Sequence, residues 1–201
     1  QRMGLSTLTE ADHRLGLALG SVEYGVNLYD VTQAFAVLAN EGVRTDLTTI
    51  TRIEDSNGNV LYEHTPNHEE ILSPQAAWQT TSVLADAVRH GTAAGFRIGR
   101  PAAAKTGTSD NNQNVWLAAY TPDYVAVFWQ GRDSWPNSNE DGRLSSGRDT
   151  NPFMIPIMKF IHEGLPSRDF TRPDGLRSVS ICNKSGLRPG GGVIFGPKPR
   201  D

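Results

Sequence analysis

Gly99-Arg100-Pro101-Ala102-Ala103-Ala104-Lys105-Thr106-Gly107-Thr108-Ser109 decides the fold, because it reads either as a phosphate-binding loop or as a strand. Counted from Gly99, four residues lead to a small residue and then Lys105-Thr106. That is the spacing of a phosphate loop, except that Ala104 stands where such a loop needs glycine. A phosphate loop also opens a helix whose N-terminus faces the anion. Here Thr106 is followed by Gly107, Asp110, Asn111 and Asn112, which break helices. The segment therefore reads as a strand, Ala102 to Thr108, running into a turn.

Two more strands follow closely, Val115 to Tyr120 and Val125 to Gln130. Thr121-Pro122-Asp123 between them predicts a tight turn, so the three form an antiparallel meander. Upstream, Leu28, Val31, Phe35 and Leu38 recur every three or four residues, the pattern of a helix from Leu28 to Asn40 with Asn27 as cap and Gly42 as stop. Leu15 to Gly20 reads as a loop. Thr48 to Glu54, the turn Asp55-Ser56-Asn57-Gly58 and Val60 to Tyr62 predict a hairpin. Ser73 followed by Pro74 begins a second helix that lines up Trp78, Thr81, Leu84 and Val88 and stops at Gly91. A third helix is expected from Pro152 to Glu163, after a surface loop over 131–150, and Ser178 to Cys182 reads as one more short strand. Segregated helices and strands argue an α+β fold, an antiparallel sheet flanked by helices. We expect residues 1–166 to form the main unit. Residues 167–201 then hold a short strand and a tail rich in glycine and proline.

Length and composition narrow the function. The 201 residues suffice for a core without any cofactor, and none is implied. Lys plus Arg number 19 against 22 for Asp plus Glu, a net charge of −3, which speaks against a surface that grips nucleic acid. The single cysteine, Cys182, has no internal partner, leaves the compartment open and reads as a packed strand residue. No stretch approaches the length of a membrane helix. The opening Gln1-Arg2-Met3-Gly4 is not a signal-peptide start, and a chain beginning with Gln is expected to have been cut from a longer one.

Lys105-Thr106-Gly107-Thr108 also resembles the third signature of serine acyltransferases that act on penicillin-like substrates. Side chains alternate along a strand, so Lys105 and Thr106 leave on opposite faces and a site using both must lie at the strand's edge. Gly107 clears that edge for an extended peptide. Around this motif, Leu19-Gly20 with Gly25-Val26 and then Ala39-Asn40-Glu41-Gly42-Val43-Arg44 resemble a run that usually ends in "FANGG". Asp55 to Val60 resembles a "DxxGxV" hairpin, His90-Gly91-Thr92 a helix-ending "GT", and Trp116 to Pro122 a "WFxGYTP" strand. In this order and at these intervals, residues 15 to about 187 resemble the C-terminal part of the transpeptidase domain of class A penicillin-binding proteins.

The resemblance implies a peptidoglycan D,D-transpeptidase that works through a serine acyl-enzyme, outside the cytoplasm and held to the membrane by an N-terminal anchor outside this sequence. It implies stem peptides and β-lactam antibiotics as partners. Lys105 becomes the carboxylate anchor and proton-network charge, and Thr106 and Thr108 bond the carboxylate. The Thr108 N–H becomes an oxyanion donor. The family's Ser-x-x-Lys nucleophile motif is missing: none of Lys105, Lys159, Lys184 and Lys198 has Ser three residues earlier. Ser109-Asp110-Asn111 spells the family's second motif, Ser-x-Asn, but abuts the Lys105 strand where a turn is needed, while the family sets that motif before the helix at Leu28. The nucleophile is therefore expected on upstream polypeptide, as a partner of this chain, and the chain alone is expected to be inert. A non-catalytic cell-wall binding module and a phosphate-loop enzyme remain as alternatives.

Other candidates carry less. His64 and His68, four apart around Pro66, do not share a helical face and read with Glu69-Glu70 as a solvated loop, and no metal is implied. Trp116, Trp129, Phe128 and Tyr120 have the makings of a sugar platform, but at strand periodicity they read as core or sheet surface. Ser145-Ser146-Gly147 reads as a loop beside the third helix that offers no base.

Overall fold

The computed structural model describes residues 1–109, 112–131, 144–182 and 184–188. Three antiparallel strands, β5 (Ala103–Thr108), β6 (Asn114–Tyr120) and β7 (Val125–Gly131), form the central sheet in sequence order. Thr106 lies opposite Leu117 and Gly107 opposite Trp116, while Trp116 in turn faces Trp129. Alternation along these strands sends their small and apolar residues to two cores. On one side Ala104, Leu117 and Ala119 pack with Phe96, Ile98, Met154 and Met158 beneath α3 (Ser146–Ile161). On the other, Ala103 and Tyr120 pack with Leu38 and Ala85 beneath α1 (Leu28–Ala39) and α2 (Pro74–His90). Burial pushes the Tyr120 phenol up to about 12, and the hydroxyl of Thr81 partners it at 2.9 Å.

Both caps read from the sequence are formed. Asn27 accepts from the amide of Asp30 at 2.8 Å, and Ser73 accepts from that of Ala76 at 3.2 Å. The buried face of α1 is rotated from the expected stripe: Ala34, Val37 and Leu38 are buried, while Leu28 is exposed in the first turn. Just past α1, Gly42 adopts a φ of +97° that glycine alone takes easily, and its carbonyl accepts from the amides of Ile71 and Leu72. That closure pairs β1 (Val43–Thr45) with β4 (His68–Glu70).

His68, Glu69 and Glu70 are thus strand, not loop, because β1 supplies a ladder that no local pattern announces. His68 Nδ1 meets Thr45 Oγ1 at 2.8 Å, while His64 Nδ1 sits 3.4 Å from the Tyr62 hydroxyl, so the two rings serve separate neighbours. The expected hairpin is β2 (Arg52–Glu54) with β3 (Val60–Glu63), shorter at its start than read. Leu15 to Leu19 forms a short 3-10 helix rather than an open loop.

α3 begins six residues before Pro152, so both Pro152 and Pro156 lie inside it. A proline reads naturally as a first-turn residue. Here Asp149 secures the true start by accepting from the amide of Ser145 at 2.6 Å. No strand forms over Ser178 to Cys182, where no neighbouring ladder is available among the described residues, and Cys182 is exposed. The Ser185 hydroxyl and the amides of Ser185 and Lys184 pull its thiol below the ordinary range. Residues 168–174 run back over α1 and α2. Arg168 pairs with Asp123, Phe170 meets Tyr120 edge-on at 5.6 Å, and Arg172 lies over Trp78. Residues 132–143 of the expected loop and 189–201 of the expected tail lie outside the described residues.

Candidate active site

β5 is an edge strand, and among the described residues no strand pairs with its outer side. The Ser109 N–H donates to Asn114 O across the β5–β6 pair at 2.9 Å. Backbone groups alternate sides along a strand, so the N–H and C=O of Thr108 and Thr106 point to the open edge. Lys105 confirms this by folding over that edge, where its Nζ donates to Thr106 O at 2.5 Å. The four-residue motif thus offers a cation and two outward amides along one rim.

The threonine side chains are held from outside the strand. Thr106 and Thr108 share the α3 side with Ala104. Thr106 Oγ1 meets Thr92 Oγ1 at 2.8 Å, just beyond the end of α2, and Thr108 Oγ1 meets Ser146 Oγ at 2.6 Å, at the start of α3. Ser146 also donates to Gly107 O at 2.8 Å. On the opposite face, a Cβ on Gly107 would stand 3.1 Å from the Trp116 Cβ. The room given by glycine on that face is taken up by the indole.

A cleft of about 720 Å³ lies on that indole side. Trp116 and Trp129 floor it, Thr108 and Ser109 form one rim, and the segment from Gly16 to Val26 forms the facing wall. Trp129 is fixed by its Nε1–H, which donates to Asn114 Oδ1 at 3.1 Å. Two buried carboxylates hold the N-terminal segment that leads into the wall. Asp12 accepts from the amides of Thr9 (2.8 Å) and Glu23 (2.7 Å), tying the wall at Glu23 back to residues 9–12, and Asp30 on α1 accepts from the amide and hydroxyl of Ser6. The Thr9 and Glu23 amides hold the Asp12 carboxyl below the usual range against its burial. For Asp30, burial is the largest single influence and opposes ionisation, but the donors from Ser6, Asn27 and Thr7 together keep it low.

The structure therefore gathers Lys105, Thr106, Gly107 and Thr108 at one rim. It adds Thr92 and Ser146, whose hydroxyls sequence reasoning did not place there. Thr92 was visible only as part of a helix-ending pattern. Ser146 falls in the expected loop because α3 starts six residues before Pro152. Ser109 is a turn residue whose Oγ accepts from the amides of Gln113 and Asn114, and Asp110 and Asn111 lie outside the described residues. Tyr120 is core, Phe128 stacks on Phe153 at 5.2 Å, and only Trp116 and Trp129 of the four aromatics line the cleft.

An edge strand carrying a lysine and two hydroxyls beside an open cleft can receive an extended chain that ends in an anion. Comparison with known proteins places the chain in a family. Residues 12–157 match the family described as the penicillin binding protein transpeptidase domain. The chain is 36% identical over 167 residues to penicillin-binding protein 1A of Clostridium perfringens, covering 82% of this chain and 20% of that protein. Against penicillin-binding protein 1A of Aquifex aeolicus the figures are 31% over 193 residues, 91% and 26%. The crystal structure of penicillin-binding protein 1A from Haemophilus influenzae superposes with a TM-score of 0.78 at 20% identity, covering 96% of this chain and 34% of that one. The chain belongs to the penicillin-binding protein transpeptidase domain family. Within that family it falls on the class A side, with the 1A and 1B proteins. It spans about a fifth of the length of the first of these curated relatives.

Proposed function

We propose that this chain is the C-terminal portion of a peptidoglycan D,D-transpeptidase domain and that the open edge of β5 is its substrate rim. The observation that carries the reading is the outward display of the Thr106 and Thr108 backbone groups beside Lys105, next to the cleft. On this reading the Lys105 ammonium and the hydroxyls of Thr106 and Thr108 receive the terminal carboxylate of a stem peptide, or that of a β-lactam. An extended peptide lies along the edge as an added strand, and the Thr108 N–H is one donor to the oxyanion.

The nucleophile is a serine on polypeptide outside this chain. Its oxygen bonds to the carbonyl carbon between two D-alanines as the peptide C–N bond breaks, and its proton passes through a base to the departing D-alanine amine. An amine of a neighbouring stem peptide then takes the acyl group and frees the serine. The cleft, with its apolar floor and pinned wall, is where the nucleophile-bearing segment enters. The protein works in the cell envelope outside the cytoplasm, held by an anchor on another part of the polypeptide; among the described residues no helix is long and apolar enough to cross a membrane.

The isolated chain, incubated with a fluorescent penicillin, should carry no label that survives denaturation, whereas the full-length protein should label. Covalent labelling of the isolated chain contradicts the assignment of the nucleophile. In the full-length protein, Lys105→Ala should slow acylation about 10- to 100-fold, the worth of one charged hydrogen bond, with an unchanged melting temperature. Unaltered acylation kinetics would remove Lys105 from the rim.

A further inference from the structure

We propose that Ser146 is a positioning residue that sets which way the Thr108 hydroxyl points; the inference rests on reading β5 as the substrate rim. Ser146 is the first residue of α3 and is buried. Its hydroxyl is not spent on its own helix but turned to β5, with Gly107 O at 2.8 Å and Thr108 Oγ1 at 2.6 Å.

A serine hydroxyl has one proton and here two acceptors within reach. With that proton on Gly107 O, Thr108 must donate into Ser146, and its lone pairs are left to face an incoming anion. With the proton swung to Thr108 Oγ1, the Thr108 hydrogen is free to reach a carboxylate on the rim. A negative charge selects the second arrangement. The two hydrogen bonds then run in series, Ser146 to Thr108 to carboxylate, and each polarises the next. Ser146 touches no substrate; it acts through Thr108.

The test compares second-order acylation rates of the full-length protein by a penicillin and by the methyl ester of the same penicillin. Ser146→Ala should lower the rate for the free acid about tenfold and leave the slower rate for the ester unchanged. In a Thr108→Val background, Ser146→Ala should change neither rate. Ser146→Cys fills nearly the same space with a weak donor and should give the same acid-selective loss, so the inference stays testable if the alanine variant melts early. Equal losses for acid and ester, or a loss that persists without the Thr108 hydroxyl, overturn the inference and leave the transpeptidase reading intact. A wild-type protein that neither compound acylates overturns that reading and the inference with it.

Discussion

Asp12 shows how much a single side chain can decide near the cleft. Its carboxylate bridges the amides of Thr9 and Glu23, so the turns between them close on one residue, and Asp30 does the same for Ser6. Both carboxyls are held below the ordinary aspartate value of about 3.9. A depressed folded-state value contributes stability that is fully present above the unfolded value and is lost as pH falls through the folded one. The melting temperature of the chain should therefore be little affected by these two groups from pH 8 to pH 5 and should fall below about pH 4. Asp12→Asn should flatten part of that acid limb and lower the neutral-pH melting temperature by several degrees. A pH-melting series on both proteins checks this, and an unaltered acid limb in the variant would show that Asp12 is not a clamp. Neither aspartate was legible as a clamp in the sequence, because their partners lie up to 24 residues away.

Elements were legible where their ends are local and obscure where they are not. The caps of α1 and α2 sit within three residues of the amides they serve, so the sequence pattern and the structure coincide. The start of α3 depends on Asp149 and on contacts with β5 nearly 40 residues upstream, so Pro152 does not mark it. β4 has no strand pattern of its own and exists because the Gly42 turn delivers β1 beside it. Gly42 is the hinge of that arrangement: a Cβ there would stand 2.2 Å from Leu72 O, a backbone atom that cannot swing aside. Gly42→Ala should cost at least about 2–3 kcal/mol, from a left-handed backbone and a main-chain clash together. Urea unfolding followed by circular dichroism would measure it, and a loss below 1 kcal/mol would mean that the α1–β1 turn relaxes freely.

At the scale of the molecule, the described fold covers one side of its apolar elements and leaves another bare. Phe153, Ile157 and Phe160 recur along the outside of α3 at 52%, 49% and 71% exposure, and among the described residues the outer edge of β7 has no partner strand. Phe128 on β7 stacks on Phe153, so edge and stripe are continuous. Faces of this kind invite association. The isolated chain should bind a hydrophobic dye strongly and sediment above its monomer mass, and both signals should be reduced in the full-length protein. A dye-silent monomer would show that the chain is self-sufficient.

Local chemistry in the sequence determined the meander, the capped helices, the glycine turn and the Lys105-to-Thr108 motif, because periodicity, caps and turn residues act over a few positions. Family membership was likewise legible, since motif order survives in one dimension. Only the tertiary structure decided that no described strand pairs with the outer edge of β5, that Thr92 and Ser146 hold its two threonines, and that Asp12 pins the wall opposite. Those contacts join residues 11 to 38 positions apart. A hydroxyl carries no mark in the sequence of which distant hydroxyl it will meet; packing of the two cores against the sheet brings them within 3 Å.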